Sequence, residues 1–227
     1  MYKTLFIIGW VLSLIIAILY TYENYETLDV IKKFHNLGSH IVFLSTDLVF
    51  DNENNSSKNY SKKNPLTQYG KQKLTIENEL LKLKKNITII RMSKVISIFY
   101  DLFKNWMTNI KYNRYIEAYS NYYLSPISLK YVINNIANNK LNGIVHLTGE
   151  KRISYFEFAE ILFNKKKRSK FLIRGKKFKD KNTPNYLNNL NKNMLDMSET
   201  KKRFFIKPQK ISSVIIDLYK EYESSKL

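Results

Sequence analysis

Tyr69 and Lys73 stand four residues apart, the right types at the right spacing to deliver a proton to a carbonyl oxygen. Residues four apart on a helix share a face. A free phenol ionises near pH 10, and a neighbouring ammonium favours its ionised form. Such a pair would make a general acid for the reduction of a ketone. A hydroxyl from a second element, such as Thr46 at the end of a strand, could hold the ketone oxygen. Spacing alone decides little, because the same pattern recurs at Tyr100/Lys104 and Tyr222/Lys226. With 17 Tyr and 32 Lys in 227 residues, chance alone produces about two such pairs. Surface pairing is the plain alternative for each, so the surrounding residues have to discriminate.

The elements around the first pair read as alternating helices and strands. Leu28, Ile31 and Phe34 fall three apart within Glu23 to Leu37, a helix closed by Gly38. Ile41 to Leu44 reads as a buried strand, Asp51 to Asn64 as an exposed polar loop, and Pro65 with Thr67 as the start of a helix running to about Lys85. Ile76, Leu80, Leu81 and Leu83 mark the face of that helix, and Ile87 to Ile90 the next strand. Val145 to Leu147 reads as a further strand, and Ser154 with Glu157 as a capping box opening a helix. Ile211 to Tyr222 reads as the last helix. Alternation of this kind implies an α/β fold with a parallel sheet flanked by helices.

Composition narrows the function classes. A chain of this length with 44% apolar residues can bury one sizeable core. It has no cysteine and only His35, His40 and His146, so disulfides and thiolate metal sites are excluded and no metal site is expected. The formal charge of +19 would suit an anionic partner. Of the 38 basic residues, however, 32 are lysine, in a chain crowded with Asn, Ile and Tyr, which fits a biased genome composition. No nucleic-acid module accompanies the charge, and no nucleic-acid partner is expected. Lys165 to Lys181 holds ten basic residues against Asp180; it reads as a solvated loop or as counter-charge for a ligand diphosphate.

Around the first Tyr/Lys pair the residues acquire a specific order. Ser45-Thr46-Asp47-Leu48-Val49-Phe50 precedes Pro65-Leu66-Thr67-Gln68-Tyr69-Gly70-Lys71-Gln72-Lys73, with Glu77 beyond. This resembles the dTDP-4-dehydrorhamnose reductase branch of the extended short-chain dehydrogenase/reductases. Arg91-Met92-Ser93, Leu124-Ser125-Pro126-Ile127, Gly143 to Gly149 and Ile153 to Ala159 continue the resemblance. It implies a partial Rossmann-type sheet at residues 12–150 with a small C-terminal substrate-binding part at 151–227. It also implies NADP or NAD as cofactor and a nucleotide-linked 4-keto sugar as substrate. Tyr69 would then be the general acid, Lys73 would lower its pKa and bond the nicotinamide ribose, and Thr46 would bind the keto oxygen. Asp47, Ser125 and Pro126 would line the substrate side, with Asp47 supporting rather than reacting. Arg91 and His146 read equally well as locally satisfied strand residues.

The family's opening Gly-x-x-Gly-x-x-Gly turn, which lets a helix N-terminus approach a diphosphate, has no counterpart here: Gly9 and Gly38 are the only glycines before Ser45. Ala17-Ile18-Leu19-Tyr20-Thr21 resembles the family's fourth strand, which borders the cofactor, so Ala17, Ile18 and Leu19 are the expected cofactor contacts. The apolar residues 1–22 therefore read as a residual strand, Leu14 to Leu19, with a membrane anchor over residues 4–22 as the alternative. A strand there without its family neighbours would offer an edge to a second copy or to a complementing subunit. The expected setting is the cytoplasm, or the membrane surface if the anchor reading holds.

Overall fold

The computed structural model describes residues 24–51, 56–163, 172–177 and 194–225. The expected strand at 14–19, the contacts at Ala17, Ile18 and Leu19 and the alternative anchor lie outside these residues, as does most of the basic stretch from Lys165.

Helix α1 (Asn24–Asn36) ends where Gly38 takes φ +84° and Ser39 N–H reaches back to Phe34 O. This is a left-handed stop that favours glycine. Strand β1 (Ile41–Thr46) follows, then helix α2 (Gln68–Lys82) and strand β2 (Ile87–Met92). Thr67 caps α2, its Oγ1 accepting from Gly70 N at 3.0 Å, which satisfies an amide the helix itself leaves open. After β3 (Val95–Ile96) come α3 (Asp101–Lys111), β4 (Ile116–Tyr119), β5 (Tyr123–Leu124) and β6 (Ile127–Ser128). Next are α4 (Leu129–Asn138), β7 (Gly143–Leu147), β8 (Ile153–Ser154) and α5 (Tyr155–Phe163). The chain closes with β9 (Ile173–Lys176), α6 (Ser198–Phe204) and α7 (Ile211–Ser224). The capping box at α5 is formed in both directions: Ser154 N donates to Glu157 Oε2 at 2.6 Å and Glu157 N to Ser154 Oγ at 3.0 Å.

The central sheet is parallel, in the order β1-β2-β7, with Ser45, Arg91 and His146 in register across it. Because side chains alternate along a strand, each strand serves two layers. Ile41, Phe43, Ile87 and Ile89 face Leu28 and Ile31 of α1 and Ile76 and Leu80 of α2. Val42, Ile90, Val145 and Leu147 face Val132 and Ile136 of α4. Helices on both faces account for the unbroken apolar runs, and each buried Ile, Leu or Val contributes about 1.5–3 kcal/mol. Among the described residues β1 pairs only with β2 and forms one edge of this sheet.

A third cluster joins Phe103, Trp106 and Ile110 of α3 to Phe158 and Leu162 of α5 and Val214 and Leu218 of α7. It draws on residues from both sides of position 150. Two expectations need correction. Leu81 is 41% exposed and Phe34 38%, because each lies to one side of the narrow stripe its helix buries. The polar loop after Asp51 is partly folded in: Ser57 is 1% exposed and forms a bridge with Leu195, its N–H and C=O bonded to Met194 O and Asp196 N. Helices α3 and α4 were not anticipated, although Phe103, Trp106, Met107 and Ile110 carry the helical period. Among the described residues no helix is long and apolar enough to cross a membrane, and no group of three potential ligands could hold a metal ion.

Candidate active site

The C-terminal ends of β1 and β2 open onto a cavity of about 420 Å³, the usual ligand position in a parallel α/β sheet. Thr46 and Asp47 reach it from the end of β1, Tyr69 from the first turn of α2, Ser93 and Lys94 from beyond β2, and Ser125 from beyond β5. Tyr100, Tyr122, Tyr123 and Tyr155 complete much of the wall.

Local backbone geometry sets Thr46 beside Tyr69. After β1 the chain turns through a single 3-10 turn, Asp47–Val49, which Thr46 caps by accepting from Leu48 N at 3.2 Å. Helix α2 then settles against that turn so closely that a Cβ on Gly70 would lie 2.2 Å from Leu48 O. Glycine is required at this point because backbone rests on backbone. Thr46 Oγ1 also donates to Asp47 Oδ1 at 3.1 Å, so its hydrogen must rotate away before it can serve a ligand oxygen. Burial lifts the Asp47 carboxyl to about 6, against the opposing pull of the Thr46 bond, the turn amides and Lys94.

Lys73 does not line the cavity. It lies behind Tyr69, where Nζ donates to Leu44 O at 3.0 Å, 4.9 Å from the Phe43 ring centroid and 5.6 Å from that of Tyr69. The lowered phenol pKa expected from the pair is not what this geometry produces. Burial raises the Tyr69 pKa above its ordinary value, and Tyr100 and Asp47 raise it further. Burial also lowers the Lys73 pKa, with Glu77 opposing. One donor of the ammonium is thus used on a main-chain carbonyl, and the charge lies over the Tyr69 ring.

Two other expected residues separate. Ser125 is 5% exposed, lines the cavity, and its Oγ has no hydrogen-bond partner among the described residues. Pro126 is buried but lies off the cavity wall, its backbone pressed against Gly149, where a Cβ would meet Pro126 O at 2.5 Å. Its place is in packing rather than on the substrate side.

Arg91 and His146 belong to a buried polar layer with Glu77 and Ser45, and of these Ser45 lines the cavity. Arg91 is fully buried and grips Glu77 with Nη2 to Oε2 at 2.7 Å and Nε to Oε1 at 3.0 Å, while Ser45 Oγ donates to the same Oε1 at 2.6 Å. Arg91 Nη1 donates to Asn59 O at 3.0 Å. His146 Nδ1 lies 2.9 Å from Asp196 O; a carbonyl can only accept, so Nδ1 carries the proton. Nε2 then offers its lone pair toward Arg91 Nη1 at 3.4 Å. Burial and the adjacent guanidinium press the His146 pKa down to about 3, so the ring is neutral. Glu77 follows Lys73 by four residues, and that spacing was the available signal for its place on the inner face of α2. Lys94 and the tyrosine wall went unanticipated, since their convergence depends on contacts distant in sequence.

The described residues suit the ribose end of a nicotinamide cofactor, because Lys73 uses one donor on Leu44 O and Tyr69 presents a phenol beside it. They include no glycine-rich turn at a helix N-terminus to receive the diphosphate.

Solved structures share this fold. A dTDP-4-dehydrorhamnose reductase from Yersinia enterocolitica superposes with a TM-score of 0.68 at 19% identity, covering 88% of this chain and 72% of that one. The reductase from Bacillus anthracis, crystallised with NADP, gives 0.67 at 18% identity, covering 82% and 67%. A dTDP-glucose 4,6-dehydratase from Streptomyces venezuelae, crystallised with NAD, gives 0.68 at 14% identity, covering 92% and 68%. This chain thus spans 67% to 72% of these proteins' lengths. No curated protein matches it in sequence. The model of the RmlD substrate binding domain matches residues 24–224, nearly everything the structure describes, and on that match the chain belongs to the RmlD substrate-binding-domain family.

Proposed function

We propose that this chain binds a nucleotide-linked keto sugar in the 420 Å³ cavity and supplies the proton-transfer side of an NAD(P)H-dependent reduction, as in a dTDP-4-dehydrorhamnose reductase. The observation that carries this reading is the convergence of the Tyr69 phenol and the Thr46 hydroxyl on one cavity, held together by main-chain contact. A bound nicotinamide would supply the hydride. Tyr69 would give its proton to the ketone oxygen as that oxygen gains charge, and Thr46 would hold the oxygen once its hydroxyl turns from Asp47. Lys73 would reach the ribose with its remaining donors and keep Tyr69 oriented from behind.

NADPH oxidation with a dTDP-4-keto sugar tests the reading. Turnover by the wild-type chain is expected, with a loss on Tyr69→Phe of at least the roughly hundredfold that general acid catalysis contributes, while sugar-nucleotide binding persists. Equal turnover by the variant would refute Tyr69 as the acid.

One observation favours a second reading. A raised Tyr69 pKa and a lysine bonded to Leu44 O suit a subunit that binds the sugar nucleotide and leaves turnover to a partner seated along the edge of β1 that no described strand covers. Retained dTDP-sugar binding without NADPH binding at millimolar concentration would decide for that reading.

A further inference from the structure

The acid–base reading leaves one charged wall residue without a task. Lys94 follows Ser93 directly beyond β2 and is the one cation among the described residues lining the cavity. Its Nζ lies 5.2 Å from the Tyr100 ring centroid. Among the described residues no carboxylate stands within 4.0 Å of it. Asp47 acts on it from a distance, but that carboxyl already accepts from Thr46 Oγ1. Partial desolvation lowers the Lys94 pKa while the side chain as a whole stays exposed, so the ammonium is open to an anionic ligand oxygen entering the cavity. Ser125 also lines this cavity, and its buried Oγ has no hydrogen-bond partner among the described residues. A cation without a paired carboxylate and a hydroxyl without a partner, both on residues lining one cavity, describe a subsite for anionic oxygen.

We propose that Lys94, with Ser125 as its neutral partner, anchors an anionic group of the bound ligand and so makes charge on the ligand a determinant of specificity. The inference rests on the sugar-nucleotide reading of the cavity, in which the anion is either the diphosphate or a carboxylate on the sugar.

Calorimetric titration of the full chain with dTDP-glucose and with dTDP-glucuronate tests it, using Lys94→Met, Lys94→Arg and, at a position outside the cavity wall, Lys84→Met. Lys94→Met should weaken dTDP-nucleotide binding by about two- to fivefold, the scale of one partly solvated charge contact. Lys94→Arg should restore most of it, and Lys84→Met, which removes the same charge, should bind as wild type does. An equal loss for both ligands assigns the diphosphate, and a greater loss for dTDP-glucuronate assigns the sugar carboxylate; either supports the anchor. Wild-type affinity in Lys94→Met, or the same loss in Lys84→Met, overturns it. Failure of the wild-type chain to bind either ligand overturns the sugar-nucleotide reading, and the anchor falls with it.

Discussion

Replacing Glu77 with leucine isolates the cost of one buried charge. In the native structure both side chains of the Arg91–Glu77 pair are inaccessible to solvent. Glu77→Leu keeps much of the volume and removes the contacts from Nη2 at 2.7 Å and Nε at 3.0 Å, leaving Arg91 with Asn59 O and the weaker approach to His146 Nε2. Stranding one partner of such a pair costs about 3–5 kcal/mol, a large part of the roughly 5–15 kcal/mol that holds a domain folded. With a urea dependence of about 2 kcal/mol per molar, the unfolding midpoint should fall by about 2 M. The double variant Glu77→Leu/Arg91→Met removes both charges and should recover most of the loss. About 1–2 kcal/mol should persist, because Ser45 Oγ and Asn59 O keep their need for partners. Urea titrations followed by tryptophan fluorescence supply the four corners of the cycle. A single variant within 1 kcal/mol of wild type, or a double variant as weak as the sum of the singles, would refute the account of a charge stabilised by its partner.

His146 predicts a pH dependence of stability. Its folded pKa near 3 lies below the ordinary 6.5. Between these values the unfolded chain binds a proton that the folded chain refuses, so stability is full above pH 6.5 and falls by about 1.4 kcal/mol per unit as the medium is acidified. Asp47, raised to about 6 from 3.8, contributes with the opposite sign below pH 6. The informative quantity is therefore the difference in urea midpoints between wild type and His146→Gln at pH 7.5, 6.5 and 5.5, which should shrink toward low pH; a constant difference would count against it. Gly70→Ala should lower the melting temperature even though alanine is the better helix former, since its Cβ would sit 2.2 Å from Leu48 O, an overpacking cost of about 1–3 kcal/mol. A melting temperature at or above wild type would show that the turn yields.

The sequence disclosed those features whose cause is local. Ile41 to Leu44 is apolar throughout, and Ile87 to Ile90 at all but Thr88, whose hydroxyl donates to Leu141 O, because helices cover both sheet faces, and Thr67 and Ser154 announce helix starts because an open amide needs an oxygen within three residues. Thr46, Asp47 and Tyr69 were legible as a group because the residues around them, Ser45 to Phe50 and Pro65 to Lys73, follow a specific order across the intervening loop. What stayed hidden depends on distant partners. Ser57 reads as an exposed loop residue until Leu195 pairs with it, and Lys94 reads as surface lysine until β5 and α5 bring tyrosines around it. The committed state of Lys73 was likewise invisible, since i,i+4 spacing places an ammonium near a ring without saying that Leu44 O will claim it first. Two-residue strands such as β3 and β6 are too short to show alternation.

The seating of α2 on the turn after β1 carries an evolutionary consequence. Main chain touches main chain there, so ordinary side-chain drift cannot widen the gap between the hydroxyl of Thr46 and the phenol of Tyr69 while the protein still folds. A lineage that gave up turnover would keep that gap unchanged. The amines and hydroxyls around the rim have no such constraint, and their identities are the record of what selection has asked the chain to hold.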